Sequence, residues 1–155
     1  MTNALDRVVA DLARHGVTGA VRELPDDVPT AAAAAAHLGC DVGAIANSLI
    51  FDADGAPLLV LTSGAHRVDT KRVAALVGAA KVRRADADFV YAATGQRVGG
   101  VAPVGHPEPV RTVVDTWLGK HEQVWAAGGL AHTVFPTTMD ELARITGGTV
   151  ADVGD

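Results

Sequence analysis

The sequence predicts an α+β fold on a mixed sheet, and three observations carry that expectation. Helix and strand signals interleave without the regular strand–helix–strand alternation of a doubly wound fold. Strand signals come in hairpin-like pairs, the clearest being Ile45–Phe51 and Leu58–Thr62 on either side of Asp52-Ala53-Asp54-Gly55. The chain has 155 residues, 48% hydrophobic and 20% charged, which suits one domain with a real core and excludes a disordered tail. The apolar content is mostly small: 29 Ala and 22 Val stand against six aromatics.

The elements follow in order. Leu5, Val8, Val9 and Leu12 keep the i, i+3, i+4, i+7 spacing of an amphipathic helix, and Gly16 stops it. Val17–Leu24 is compatible with a strand, and Pro25, Asp26, Asp27 and Pro29 then make a loop. Thr30 is a good N-cap for the run Ala31–Ala36, a strong helix former that Gly39 ends. After the hairpin, Asp69 caps a helix through Val77 that stops at Gly78. Lys81–Arg83 reads as a short strand, and Asp86 to Gly95 brackets a short helix. Val98–His106 is too rich in Gly and Pro for a central element. Val110–Asp115, Gln123–Ala127 and His132–Phe135 read as strands. Thr138 and Glu141 form a capping-box pair for a helix over Met139–Ile145. Gly147-Gly148 breaks that helix, and Val150–Val153 returns to the sheet.

Several function classes are excluded at this level. No apolar run reaches membrane-spanning length, and the first residues carry acids and lack a signal-peptide core. A cytoplasmic location is the expectation. The single Cys40 excludes an internal disulfide framework and a multi-Cys zinc site; it reads as a small buried residue. No metal and no cofactor is expected, since neither H-E-x-x-H nor a Walker A sequence occurs, and no G-x-S-x-G elbow marks a serine hydrolase. Charge is uneven. Arg67, Lys71, Arg72, Lys81, Arg83 and Arg84 face one acid, Asp69, within 66–84, whereas the remainder has seven bases and 17 acids. Such a segment is either a phosphate- or nucleic-acid-binding face or a solvated helix with its flanks.

Three groups of residues are candidates for chemistry. Gly95, Gly99, Gly100 and Gly105 lie around Val101-Ala102-Pro103-Val104. Such a loop either presents bare N–H groups to a phosphate or oxyanion, or turns tightly across a sheet edge. His66, His106 and His132 each follow a glycine turn, while His15 and His37 lie near helix ends. Asn47 shares a strand face with Ile45, Leu49 and Phe51, so it is either a structural bridge or a polar group in a pocket; Ser48 points the other way.

Taken together, these pieces resemble the YbaK/EbsC family, the editing domain associated with prolyl-tRNA synthetase. The resemblance runs from about His15 to Val153. Its pieces are Val28-Pro29-Thr30 before the Ala-rich helix, Ile45-Ala46-Asn47-Ser48-Leu49-Ile50-Phe51, and Leu58–Ser63 with Gly64 and Arg67-Val68-Asp69 before a helix bearing Lys71. Thr94-Gly95, Val98–Gly105, Val113-Val114-Asp115, Gly128-Gly129 and Asp140-Glu141-Leu142 follow in order.

The resemblance implies a single domain with a strongly curved, barrel-like mixed sheet flanked by helices. It implies hydrolysis of the ester of a mischarged tRNA carrying Ala, Ser or Cys, with tRNA-Pro among the possible carriers and a synthetase as a possible partner. On this basis Asn47, Gly99 and Gly100 are the catalytic candidates. Thr30, Ser63, His66, Val101, Ala102, Pro103, Gly128, Gly129 and His132 are the substrate-binding candidates, and the six bases from Arg67 to Arg84 would meet the acceptor stem. One position departs from the family pattern, which has Lys where this chain has Asn47. A neutral amide can donate two N–H bonds but supplies no charge. Three readings stand at this point: an editing deacylase, a binding module without turnover, and a hydrolase of another small ester or amide.

Overall fold

The computed structural model describes residues 4–25 and 30–154. Asp26, Asp27, Val28 and Pro29, expected as a loop, lie outside them. The helices are α1 (Ala4–Arg14), α2 (Ala31–Leu38), α3 (Thr70–Val77), α4 (Ala87–Thr94) and α5 (Met139–Thr146). The strands are β1 (Arg22–Glu23), β2 (Ile45–Ala53), β3 (Ala56–Ser63), β4 (Val82–Arg84), β5 (Arg111–Asp115), β6 (Val124–Ala127), β7 (Thr133–Thr137) and β8 (Thr149–Ala151). They form one mixed eight-stranded sheet in the order β1-β7-β6-β2-β3-β5-β8, with β4 on β2. The pairs β2–β6, β3–β5 and β5–β8 are parallel.

Local chemistry sets the helix ends. Thr30, Asp69, Asp86 and Thr138 accept from backbone N–H groups of the first turns of α2, α3, α4 and α5. Gly39, Gly78, Gly95 and Gly147 end the same four helices in the left-handed conformation. Each such N-cap contributes about 1 kcal/mol. The capping box at α5 is half formed. Thr138 Oγ1 accepts from Glu141 N–H at 3.0 Å, but the Glu141 carboxylate takes the Thr137 hydroxyl at 2.6 Å.

Strand boundaries shift from expectation throughout, and three of the shifts have a visible cause. Only Arg22–Glu23 of the 17–24 segment pairs, opposite Val134 and Thr133. The next steps along β7 lead to Pro136, which has no N–H for the ladder. The short strand starts at Val82 because Lys81 is bound into the β2–β3 turn: its N–H donates to the Asp54 carboxylate and its carbonyl accepts from Asp54 N–H. The last strand is Thr149–Ala151, and Val153 instead accepts from Asp69 N–H at 2.8 Å.

The sheet has two covered faces. One carries Ala46, Ile50, Leu59, Leu61, Val114, Val124, Ala126 and Phe135 in the main core, under α1, α4, α5 and Val101–Val104. The other holds two separate apolar clusters. Phe51, Leu58, Val60 and Val113 pack under α3, and Ile45 and Trp125 pack under α2.

Candidate functional site

The two clusters on the second face are separated by polar residues. Asn47 pairs with Thr62 across the hairpin. One step beyond the last β3–β5 pair, Leu61↔Val114, Thr62 and Asp115 are neighbours. Asn47, Thr62 and Asp115 therefore form a row across β2, β3 and β5, in the seam between the α2 and α3 clusters.

The row ends in a knot in which the Asp115 carboxylate is fully engaged, while His66 Nε2 is buried with no hydrogen-bond partner among the described residues. Asp115 has no exposed surface, and its carboxylate accepts from Ser63 N–H at 3.0 Å and Trp117 N–H at 3.0 Å. His66 Nδ1 lies 3.0 and 2.9 Å from the two carboxylate oxygens, within hydrogen-bond distance of both. The His66 ring stacks on Trp117 at 3.7 Å and 3°, and Lys120 Nζ sits 3.8 Å from the centre of the Trp117 ring. Ser63 Oγ donates to Gly43 O at 2.7 Å. Ser63 and His66, expected to line a pocket, are thus bound to Asp115 and the 42–44 turn.

Asn47 is different. It is half-buried, and its amide makes no hydrogen bond among the described residues. The strand around it is also incomplete. One edge of β2 is occupied by β3 along residues 46–53. The other edge pairs with β6 at Ile45 and Ala46 and with β4 at Phe51–Ala53. Among the described residues no strand lies beside 47–49 on that edge. Arg84, opposite Phe51, is the base that borders this gap on the Asn47 face.

The glycine loop lies on the main-core face of the sheet. Val101 and Ala102 pack in one cluster with Ala46 and Ile50, the residues on either side of Ser48 along that face. Gln96 holds the loop from within: its Nε2 donates to Val104 O at 3.0 Å, and its Oε1 accepts from Ala102 N–H at 2.6 Å. Gly129 N–H donates to Gly100 O at 2.9 Å, which joins the loop to the 128–132 turn. A Cβ on Gly100 would lie 2.5 Å from the Leu130 carbonyl carbon, so only glycine fits this approach. The Gly99 and Val101 N–H groups have no acceptor among the described residues.

The structure therefore brings Gly99, Gly100, Val101 and Ala102 together with the Gly128-Gly129 turn, on the main-core side of the sheet. His132 ends the turn at φ 65°, with its carbonyl accepting from Leu24 N–H at 2.6 Å. Thr30 spends its hydroxyl on the α2 cap. Pro103 faces elsewhere, into a cleft of about 740 Å³ between α1 and the end of α5 that Asn47 does not line. His106 also lines that cleft, and burial lowers its pKa, against the pull of its bond to Ala102 O and of Asp11. Arg67, Lys71, Arg72, Lys81, Arg83 and Arg84 are all exposed and cluster at the two ends of α3. Arg72 pairs with Asp152 at 3.2 Å and Arg83 with Asp52 at 3.4 Å. Among the described residues no cluster of three or more His, Cys, Asp or Glu could hold a metal ion. No helix there is long and apolar enough to cross a membrane.

Residues 25–145 match the sequence model of the aminoacyl-tRNA editing domain. The chain belongs to this family. Its similarity to the protein YwhH of Bacillus subtilis (strain 168) is 28% identity over 127 residues, 81% of this chain and 80% of that one. A proline–tRNA ligase of Nitratidesulfovibrio vulgaris is 32% identical over 129 residues, which cover 77% of this chain and 22% of the ligase. Among solved structures, one described as a candidate trans-editing enzyme for prolyl-tRNA synthetase superposes with a TM-score of 0.93 at 37% identity, covering 100% of this chain and 99% of the other. The hypothetical protein APE2540 follows at 0.87 and 32%, over 96% and 99%. The eight-stranded mixed sheet flanked by helices is thus the fold of an editing domain, and the resemblance read from the sequence holds.

Proposed function

We propose that this editing-domain chain is a trans-editing deacylase that hydrolyses the ester of a mischarged tRNA bearing a small amino acid, with Ala, Ser and Cys on tRNA-Pro as the first substrates to try. The observation that carries this reading is the unpaired edge of β2 at residues 47–49, with the free Asn47 amide on one face and the glycine loop on the other. A water oxygen bonds to the ester carbonyl carbon, and the carbon–oxygen bond to the terminal ribose breaks. One water proton goes to the leaving ribose oxygen, and the amino acid departs with its new carboxyl group. An aminoacyl ester is already activated, so alignment and a polarised carbonyl suffice without a strong side-chain nucleophile. Asn47 Nδ2–H is the donor for the developing oxyanion, and the free loop N–H groups, on the other face of β2, hold a different part of the aminoacyl-adenosine. The bases at the ends of α3 hold acceptor-stem phosphates, and the synthetase is the expected delivery partner.

The neutral amide at 47 favours a second reading, an editing-fold module that binds but does not turn over. Deacylation of Ala-, Ser- and Cys-tRNA-Pro at low salt separates the two. Wild type turns over at least one, and Asn47→Ala lowers kcat by roughly 10- to 1,000-fold, the loss of one oxyanion donor. No turnover by folded wild type, with activity gained in Asn47→Lys, selects the binding module.

A further inference from the structure

Among the described residues, two hydroxyls beside Asn47, Ser48 Oγ and Thr62 Oγ1, are buried without a hydrogen-bond partner, as is His66 Nε2. Ser48 lies on the main-core face. Thr62 is 3% exposed and stands directly opposite Asn47, on the same face. Its row neighbours are Asn47 and Asp115, whose carboxylate is already engaged by Ser63, His66 and Trp117, while two residues earlier on β3 is Val60 and diagonal to it on β2 are Ile45 and Leu49. Valine has the shape of threonine and would leave no unpaired hydroxyl there. A polar atom kept at such a place without a protein partner points to a partner that arrives. Cβ atoms of opposed strand residues lie about 4.5–5.5 Å apart, so a small group held by the Asn47 amide is within reach of Thr62 Oγ1.

We propose that Thr62 is a specificity-determining residue that hydrogen-bonds the side-chain hydroxyl of a seryl group held at Asn47, so that the site prefers seryl to alanyl esters. The inference rests on the editing reading above. The seryl hydroxyl both donates and accepts, and so pairs with threonine in either sense. An alanyl methyl fills the same space and leaves Thr62 unpaired. A site that buries a polar group discriminates against the analogue lacking the matching group.

The test is calorimetric binding of two non-hydrolysable probes, adenosine carrying a seryl or an alanyl group through a 3′-amide. Wild type binds the seryl probe about tenfold more tightly, the value of one neutral hydrogen bond. Thr62→Val removes that ratio, and Thr62→Ser keeps it. The Tm of Thr62→Val equals or exceeds that of wild type, because the hydroxyl has no structural bond to lose. Equal binding of the two probes by wild type, binding of neither, a ratio that survives Thr62→Val, or a lowered Tm in that variant overturns the proposal. Seryl- and alanyl-tRNA hydrolysis is measured in parallel. Seryl preference in binding with no hydrolysis of either keeps the Thr62 role and removes the deacylase.

Discussion

Asp115 gathers Ser63, His66 and Trp117 around one buried carboxylate, so its replacement exposes how the polar row is held. Asp115→Asn keeps the volume but turns one acceptor into a donor facing other donors. It costs about 2–4 kcal/mol, in the range for breaking a buried charged network. Thermal unfolding then shows a Tm lower by roughly 5–15 °C for a domain of this size. His106 makes a pH prediction. Burial lowers its folded-state pKa below the ordinary 6.5, so the neutral ring is the one the fold accepts. The unfolded chain takes up the proton first as pH falls. The stability contribution is complete above about pH 6.5 and is lost progressively below it, down to the lower folded pKa. The fall in Tm between pH 7.5 and 5 is therefore smaller in His106→Gln, whose amide can keep the bond to Ala102 O.

At the scale of elements, the glycines separate tight approach from backbone freedom. Gly100→Ala puts a methyl against Leu130 backbone atoms and forces the loop off the 128–132 turn. Its deacylation falls at least tenfold, and it loses about 1–3 kcal/mol of stability. Gly99→Ala meets open space and carries only the strain of φ 95°, about 1 kcal/mol. Paired assays of activity and denaturant midpoint distinguish the two. The same contrast explains what is legible in the sequence. Caps at Thr30, Asp69, Asp86 and Thr138, and stops at Gly39, Gly78, Gly95 and Gly147, are set within a turn by neighbouring residues. The Asp54-Gly55 hairpin is equally local. The parallel pairs β2–β6 and β3–β5 are not, and without them the gap at 47–49 is invisible. Asn47 stands out because an amide interrupts an apolar strand. Thr62 passes as an ordinary β-branched strand residue, although its pairing with Asn47 follows from counting back from the hairpin turn. His66 looks free in the sequence because Asp115 lies 49 residues away.

At the scale of the molecule, net charge of −5 opposes RNA, and the bases around α3 must overcome it locally. Lys71, Lys81 and Arg84 have no ion-pair partner among the described residues, unlike Arg72 and Arg83. Replacing each of the three by Ala weakens tRNA binding and reduces the slope of log Kobs against log salt by about 1 for every phosphate that is no longer neutralised. An unchanged slope in all three would place the RNA elsewhere. The missing neighbour of β2 has a further consequence, for behaviour in a crowded solution. Exposed strand edges invite other chains to pair with them and seed aggregates. Here the open edge is three residues long and shut at both ends by β6 and β4. A foreign strand finds no run on which to register, so the protein can leave backbone open for a small guest without becoming sticky toward its own copies.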